Sequence, residues 1–266
     1  MTDTLHTAGA SYTAGASYTA GASYDATPYP RMAHQDTHPM HLCVLGTLMG
    51  MEPARPTHCR MLDIGCAMGS NLLPIALAYP ESEFVGIDAS AHQIALGNAD
   101  IAALGNADIA ALGGGDNRAL GEGNIAALER ANVKLLAADI MTLDTSDTGP
   151  LGKFDYIAAH GFYSWVPPHV ANGLLAAIKR LLKPQGIAFV SYNVYPGWYQ
   201  MEGLRRMMLY RTRHAHAPAE RIAQAREVLQ FVAHTNAANE SPFGMWVNGY
   251  QEYIDQLERE NSSIQY

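Results

Sequence analysis

The sequence predicts a three-layer α/β fold built on a parallel β-sheet. Short apolar runs that are typical of buried strands alternate with segments of helical periodicity between residues 61 and 193. The first apolar run ends in a turn of small residues at positions 65–69, where a backbone can approach a nucleotide-type ligand closely. Apolar residues make up 48% of the 266-residue chain, so a substantial hydrophobic core is expected.

The strands and helices of this fold are predicted from local patterns along the chain. The run from Phe154 to His160 is nearly all apolar, as expected of a strand covered on both faces. Asp155 lies at the start of that strand, which is the wrong end for a ligand, and is interpreted as structural. We expect five parallel strands in the order 3-2-1-4-5. The strands are predicted at residues 61–64, 84–87, 133–138, 154–160 and 187–193, and the helices at 70–79, from 91, at 124–130 and at 170–182.

Two repeat regions interrupt this pattern. Three copies of Thr-Ala-Gly-Ala-Ser-Tyr occupy residues 7–24, and we interpret residues 1–23 as a disordered leader. The sequence Ala-Leu-Gly-Asn-Ala-Asp-Ile-Ala occurs at 95–102 and again at 103–110. Its recurrent glycines weaken a long helix, so a surface insertion of frayed helix and loop is predicted at about 97–123.

Helical segments are predicted both before the first strand and after the last strand in the sequence. Thr37-His38-Pro39 can cap a helix that runs from Met40 to about Gly50. From Gly203 onward the apolar residues recur at helical spacing, and no strand is found after Asn193. The chain therefore divides into the leader, an α/β domain at 24–198 and a helical extension at 199–266.

Composition and charge exclude several classes of function. A net charge of −8 argues against nucleic acid as a partner, because phosphate binding requires clustered Lys and Arg. No signal peptide and no apolar run long enough to span a bilayer are visible, so no membrane partner is expected. The three cysteines form no C-x-x-C pair, which favours a reduced, cytoplasmic protein. His34, His38 and His41 have helical spacing, but Pro39 interrupts the helix and no metal site is predicted.

The turn after the first strand carries the main functional signal. Its pattern is Asp63-x-Gly65-x-Ala67-x-Gly69, and Asp88 ends the second strand. The pattern resembles motif I of the Rossmann-like S-adenosylmethionine (SAM) methyltransferases. SAM carries an ammonium on its methionine part, which favours a nearby carboxylate. A nicotinamide oxidoreductase is the alternative enzyme, but it is disfavoured by Asp63 and by the lack of G-x-G-x-x-G.

Several stretches together resemble one bacterial family, the SAM-dependent methyltransferases that carry a methyltransferase regulatory domain. This family includes rickettsial protein-lysine methyltransferases that act on outer-membrane protein. The resemblance covers nearly everything from Tyr24 to about Gly244, and HGFYSWVPP and SYNVYPGW are not general to the fold. The resembling stretches are SYDATPYP at 23–30, THP at 37–39, CRMLDIGCAMGSNLLPIA at 59–76, FVGIDAS at 84–90, FDYIAAHGFYSWVPP at 154–168, VSYNVYPGW at 190–198, RRMMLYRTR at 205–213 and RIAQAREVL at 221–229.

The resemblance and the predicted positions imply a set of site residues. His160, at the tip of strand four, is expected beside the sulfonium or the acceptor, and His160 or Tyr163 can assist an acceptor amine in losing its proton. Tyr163, Trp165 and Tyr192 are expected to form an aromatic wall for a cation, with core packing under the loop as the alternative. The residues expected to bind SAM are Asp63, Gly65, Ala67, Gly69 and Asn71 at the methionine end, Asp88 at the ribose, and Asp139 and Ile140 at the adenine.

The chain also departs from the family pattern. Ala67 replaces the middle glycine of the turn, and the family's chain continues into a regulatory domain, so a truncated chain is expected. The final β-hairpin of the fold is predicted to be missing, which leaves strand five at an edge that the C-terminal helices or a homo-oligomer can cover. The predicted function is SAM-dependent methyl transfer to an unidentified acceptor, which is a protein lysine amine in some family members. The alternative is an inactive SAM-binding fragment that acts through its helical C-terminal region.

Overall fold

The computed structural model describes residues 29–104, 132–143, 149–238 and 241–260. Two compact units are present, one from Arg31 to Tyr192 and one that joins Tyr29 and Pro30 to the segment from Asn193 onward. The predicted leader at 1–23, most of the predicted insertion at 97–123 and the helix predicted at 124–130 lie outside the described residues.

As far as the structure describes it, the first unit is built on a five-stranded sheet whose paired strands all run parallel. The strand order is β3-β2-β1-β4-β5, so the predicted order is confirmed. This order places the carboxyl ends of β1 and β4 side by side at the point where the chain reverses direction across the sheet. The strands are β1 Arg60–Ile64, β2 Glu83–Asp88, β3 Val133–Ala137, β4 Phe154–Ala159 and β5 Leu182–Val190.

Helices cover both faces of the sheet, which gives the predicted three layers. Alternate residues of β1 enter opposite clusters, Met61 one and Leu62 the other, and the same alternation is seen in β2 and β4. One cluster contains residues of three helices, α1 Pro39–Leu48, α2 Leu72–Ala78 and α3 Ala91–Leu104. The other contains residues of α4 Pro168–Leu181, including the fully buried Leu174. A sheet covered in this way requires apolar residues at nearly every strand position, which explains the runs seen in the sequence.

Strand β5 begins earlier than the sequence predicts. Predicted at 187–193, it pairs with β4 from Leu182, and the register shifts between Phe154 and Tyr156 so that Tyr156 pairs with Ile187. The extra residues at 183–186 are a local irregularity in the strand and contain Pro184 and Gly186, which are ordinarily helix-stop residues. Lys183 in this irregular segment donates a 2.8 Å hydrogen bond to the Asp155 carboxylate, so Asp155 has the structural role expected of it.

In its described residues, the second unit contains three helices around a small apolar core. Leu204, Leu229 and Val247 are each at most 1% exposed at its centre. In the described part of the chain no strand follows β5, and no helix is long and apolar enough to cross a membrane. The helices are α5 Tyr199–Arg211, α6 Pro218–Thr235 and α7 Pro242–Glu260.

Candidate functional site

The loop that follows β1 has a left-handed backbone at three of its five positions. Gly65, Ala67 and Gly69 have φ angles of 76°, 51° and 77°. A Cβ atom at Gly65 would lie 2.8 Å from Cδ2 of Phe162, and one at Gly69 would lie 2.8 Å from Cδ1 of Leu135. Glycine is therefore required at both positions, whereas Ala67 holds a conformation that ordinarily costs about 1–2 kcal/mol for a non-glycine residue. Such strain concentrates at functional sites.

Asp63 is buried beside this loop without a cationic partner among the described residues. Asp63 lies near the carboxyl end of β1, its backbone pairs with Gly86 and Ala158 of the neighbouring strands, and only 4% of the residue is exposed. Asn71 Nδ2 donates a 3.0 Å hydrogen bond to its Oδ2. Burial raises the pKa of Asp63 to about 7, more than the Asn71 hydrogen bond lowers it. A ligand cation placed here would remove that penalty.

Asn71 connects Asp63 to the segment that precedes α1. Its Oδ1 accepts a 2.9 Å hydrogen bond from the backbone N–H of His34, and its Nδ2 lies 3.0 Å from Thr37 Oγ1. Thr37 is fully buried, and its hydroxyl also donates to the carbonyl of His34 at 2.8 Å. His38 caps α1 as predicted, since its side chain accepts a hydrogen bond from Met40 N. The segment at 34–38 is thus fixed against the buried acid.

Asp88 fixes the other side of the loop. Its Oδ2 accepts a 2.9 Å hydrogen bond from the Ala67 N–H, and its Oδ1 accepts one of 2.8 Å from Ser90 N. Asp63 and Asp88 therefore flank the same loop from β1 and β2, and the two predicted acids are brought together.

The end of β3 reaches the same edge of the sheet. Asp139 is exposed two residues after the strand and accepts a hydrogen bond from Met141 N at 2.9 Å. Ile140 is 8% exposed and belongs to the cluster beneath α4. Because Asp88 pairs with Ala137 in the β2–β3 ladder, Asp139 lies at the same edge of the sheet as Asp88. That both residues contact one ligand stays a prediction.

His160 follows β4 and stacks on a second imidazole. The ring centroids of His160 and His34 are 3.7 Å apart with an angle of 22° between the planes. Phe189 of β5 is the other aromatic neighbour, at 6.1 Å and 12°. Burial lowers the pKa of His160, and burial together with the charge of His160 lowers the pKa of His34 to about 4. At neutral pH both rings are uncharged, which leaves each with a free basic nitrogen.

The aromatic loop after His160 divides into packed and exposed rings. Phe162 and Tyr163 pack against the cluster beneath α4, and Phe162 also contacts the turn at Gly65. Trp165 is 39% exposed and Tyr192 is 63% exposed, so core packing does not account for them. Tyr163 and Tyr192 meet edge to face with their centroids 6.1 Å apart. Exposed aromatic faces next to the site suit a cationic group.

The chain shares these features with known proteins. A family model described as a methyltransferase domain matches residues 62–188. Protein RP028 of Rickettsia prowazekii (strain Madrid E) is 35% identical over 219 residues, which are 82% of this chain and 76% of RP028. The structure of PKMT2 from Rickettsia typhi in complex with AdoHcy matches with a TM-score of 0.64 and 33% identity over 86% of this chain.

This chain belongs to the SAM-dependent methyltransferase family. It spans 38% of the length of PKMT2. A second Rickettsia prowazekii protein, RP789, is 33% identical over 250 residues, which are 90% of this chain and 40% of RP789. The family assignment and the Rossmann-like fold expected from the sequence are thereby confirmed, and SAM is the cofactor of this family.

The geometry of the methyltransferase loop fits the methionine end of SAM. The left-handed glycines leave room for close approach, and the buried Asp63 needs a cation. Ser70 Oγ, next to the loop, is shielded from water and has no hydrogen-bond partner among the described residues. In the same part of the chain, no three His, Cys, Asp or Glu side chains are grouped so that they could hold a metal ion. The buried Asp63 carboxylate beside the left-handed loop suits a cationic group of a ligand.

The sequence reasoning missed two contributors to this methyltransferase site. From the sequence, His34 belongs only to a histidine pattern for which no metal site is predicted, whereas in the structure its ring stacks on His160. The sequence predicts only helix capping for Thr37, whereas in the structure Thr37 also hydrogen-bonds Asn71. The stretch Thr37-His38-Pro39 was already among the stretches that resemble the family, and that signal pointed to a function beyond capping.

Proposed function

We propose that this methyltransferase binds SAM at the carboxyl edge of β1, β2 and β3 and methylates an amine, with a protein lysine as the acceptor. The observation that carries the proposal is the pair of acids flanking the left-handed loop. Asp63 is held by Asn71, and Asp88 is held by the backbone of Ala67. Two carboxylates in these positions match the two polar parts of SAM, its ammonium and its ribose diol.

Each cofactor-binding residue has a distinct role in this proposal. Asp63 pairs with the ammonium, and Asn71 orients the Asp63 carboxylate. The small residues Gly65, Ala67 and Gly69 allow the loop backbone to approach the cofactor closely. Asp88 accepts hydrogen bonds from the ribose hydroxyls. Asp139 accepts from the adenine amino group, and the apolar surface at Ile140 supports the ring.

When bound, SAM supplies a methyl group that is already activated by its sulfonium. The chain then contributes proximity, alignment and proton removal. A lysine amine is protonated at neutral pH and has no lone pair for attack. A ring nitrogen of neutral His160 accepts that proton, and the freed nitrogen lone pair forms the new N–C bond as the C–S bond breaks. Tyr163 belongs to the loop that follows His160 and can hydrogen-bond the same amine.

The aromatic rings beside the site favour a cationic acceptor. Trp165 and Tyr192 are both exposed, and Tyr163 meets the Tyr192 ring edge to face. A lysine ammonium or a methylated ammonium over such rings gains about 0.5–2 kcal/mol from cation–π attraction. The resemblance to rickettsial protein-lysine methyltransferases, together with 33% identity to PKMT2 of Rickettsia typhi, supports the same acceptor class.

Calorimetric titration with SAM tests the cofactor part of the proposal. Asp88→Asn should weaken SAM binding by at least about tenfold, equivalent to ~1.4 kcal/mol, because a charged acceptor of two hydroxyls becomes a neutral amide. Glu83→Gln is the matched control, since Glu83 is an exposed carboxylate at the opposite end of the same strand. No SAM binding by the folded wild-type chain would refute the proposal.

Transfer of a labelled methyl group from SAM tests the acceptor part. We expect the label to be incorporated into lysine-containing peptides. Trp165→Ala and Tyr192→Ala should each lower the catalytic efficiency of this transfer, mainly through a higher KM for the peptide. SAM binding without transfer to peptides or small amines would instead support an inactive SAM-binding chain.

A further inference from the structure

The orientation of the His160 ring depends on stacking. Catalytic imidazoles are usually oriented by a hydrogen bond to one ring nitrogen. In the part of the chain that the structure describes, no hydrogen bond to the His160 ring is present, and its close ring contact is the His34 imidazole at 3.7 Å. Phe189 lies at 6.1 Å, too far to confine the ring by itself.

His34 is itself held firmly in place. Its N–H donates to Asn71 Oδ1 at 2.9 Å, and its carbonyl accepts hydrogen bonds from Thr37 N at 3.1 Å and from Thr37 Oγ1 at 2.8 Å. Asn71 in turn bonds the buried Asp63. Local hydrogen bonds therefore fix the His34 backbone relative to β1, while its ring lies against the residue that follows β4.

We propose that His34 is a positioning residue for His160, an inference that rests on the proposed function. Stacking holds the His160 ring at the carboxyl end of β4 and excludes water from one of its faces. The free nitrogen of His160 is then presented to the acceptor amine, and His34 takes no proton from the substrate. The network of Thr37 and Asn71 ties this arrangement to the SAM side of the site.

The charges around His34 and His160 allow at most one of the two rings to be protonated at a time. Two stacked imidazolium rings would repel each other, and burial disfavours the first charge as well. Asp36, in the turn before α1, is the carboxylate that opposes this effect on both rings. Asp63 is separated from the pair by Asn71, and Phe189 is uncharged. Removal of the His34 ring would admit water to His160 and raise the His160 pKa toward its ordinary value near 6.5.

NMR titration of the His160 Hε1 resonance in the cofactor-free full chain tests this inference without activity. The signal is assigned by its loss in His160→Gln. In His34→Ala the His160 pKa should rise above that of the wild-type chain, whereas in His34→Phe it should stay low, because a phenyl ring can stack and exclude water equally well. His41→Ala, an exposed imidazole on α1, is the matched control and should leave the His160 titration unchanged.

Methyl transfer gives the second readout. In His34→Ala, kcat near pH 6 should fall by about tenfold or more, part of the roughly 10²–10⁴ that a positioned base supplies, with a smaller loss at pH 8 and an unchanged KM for SAM. His34→Phe should restore kcat. The inference is overturned if the His160 titration is the same in His34→Ala as in wild type, or if His34→Phe is as defective as His34→Ala. If the chain transfers no methyl group at all, the proposed function fails while the NMR titration still decides whether His34 controls His160.

Discussion

Asp63→Asn should make the stability of this protein less sensitive to a rise in pH from 5 to 8. In the unfolded chain the Asp63 carboxyl ionises near its ordinary pKa of 3.8, whereas burial delays ionisation in the folded chain until about pH 7. Between these values the unfolded state binds fewer protons than the folded state, so the free energy of unfolding falls as the pH rises. Asparagine cannot ionise, and it can still accept the hydrogen bond from Asn71.

The size of this effect follows from the pKa difference. With pKa values of 3.8 and about 7, the Asp63 contribution to the free energy of unfolding changes by about −2 to −3 kcal/mol between pH 5 and pH 8. Little further change is expected above pH 8, where the carboxyl is ionised in both states. The free energy of unfolding of Asp63→Asn minus that of wild type should therefore rise by about 2–3 kcal/mol over this range.

Equilibrium denaturation without SAM, followed by far-UV circular dichroism at pH 5, 6, 7 and 8, measures this difference. Taking it between two chains at each pH cancels the contributions of the other titrating groups. Asp139→Asn, which removes an exposed carboxylate at the same sheet edge, controls for the loss of one negative charge. If the difference in the free energy of unfolding stays constant from pH 5 to pH 8, Asp63 is already ionised in the folded chain. The inference that Asp63 needs a ligand cation to stabilise its charge would then be wrong.

Three further results are expected from the same structure. In wild type the affinity for SAM should rise by about tenfold from pH 5.5 to pH 7 as Asp63 ionises, whereas Asp63→Asn should bind weakly and show little pH dependence, as calorimetry can measure. Gly97→Ala should lower the stability by about 1–3 kcal/mol and weaken SAM binding, because its Cβ would overlap the Met68 carbonyl oxygen in the site loop. The control Gly203→Ala has open space around its Cβ, so its free energy of unfolding, measured by thermal denaturation, should instead rise by about 0.5–1 kcal/mol. Asp155→Ala should lower the free energy of unfolding by about 1–3 kcal/mol, as denaturation can measure, and leave SAM binding unchanged. The wild-type Asp155 carboxylate accepts two hydrogen bonds, both away from the site.

Much of the fold is predictable from the sequence because it depends on local patterns. An apolar run of strand length, followed by small residues and then by helical spacing, specifies a β-α-β unit within about 30 residues. The parallel pairing and the strand order follow from the chirality of such units. Asp63 and Asp88 were placed correctly at the ends of neighbouring strands for the same reason.

The errors occur where pairing overrides local preference. Lys183, Pro184, Gln185 and Gly186 end a helix by every local criterion, and they do follow α4 directly. They nevertheless enter β5, because Lys183 bonds the Asp155 carboxylate and the pairing with β4 tolerates a shift in register. Local propensity contains no information on a partner strand that lies elsewhere in the chain.

The sequence by itself determined the sheet order, the loop at 65–69 and the two acids that flank it, since each is encoded by residues close together in the chain. Only the tertiary structure decided that His34 stacks on His160 and that Thr37 and Asn71 join the two sides of the site. These contacts link segments far apart in sequence, and no periodicity or motif specifies which distant side chains will meet. Burial, which raises the pKa of Asp63 and lowers that of His160, likewise exists only after the layers have packed.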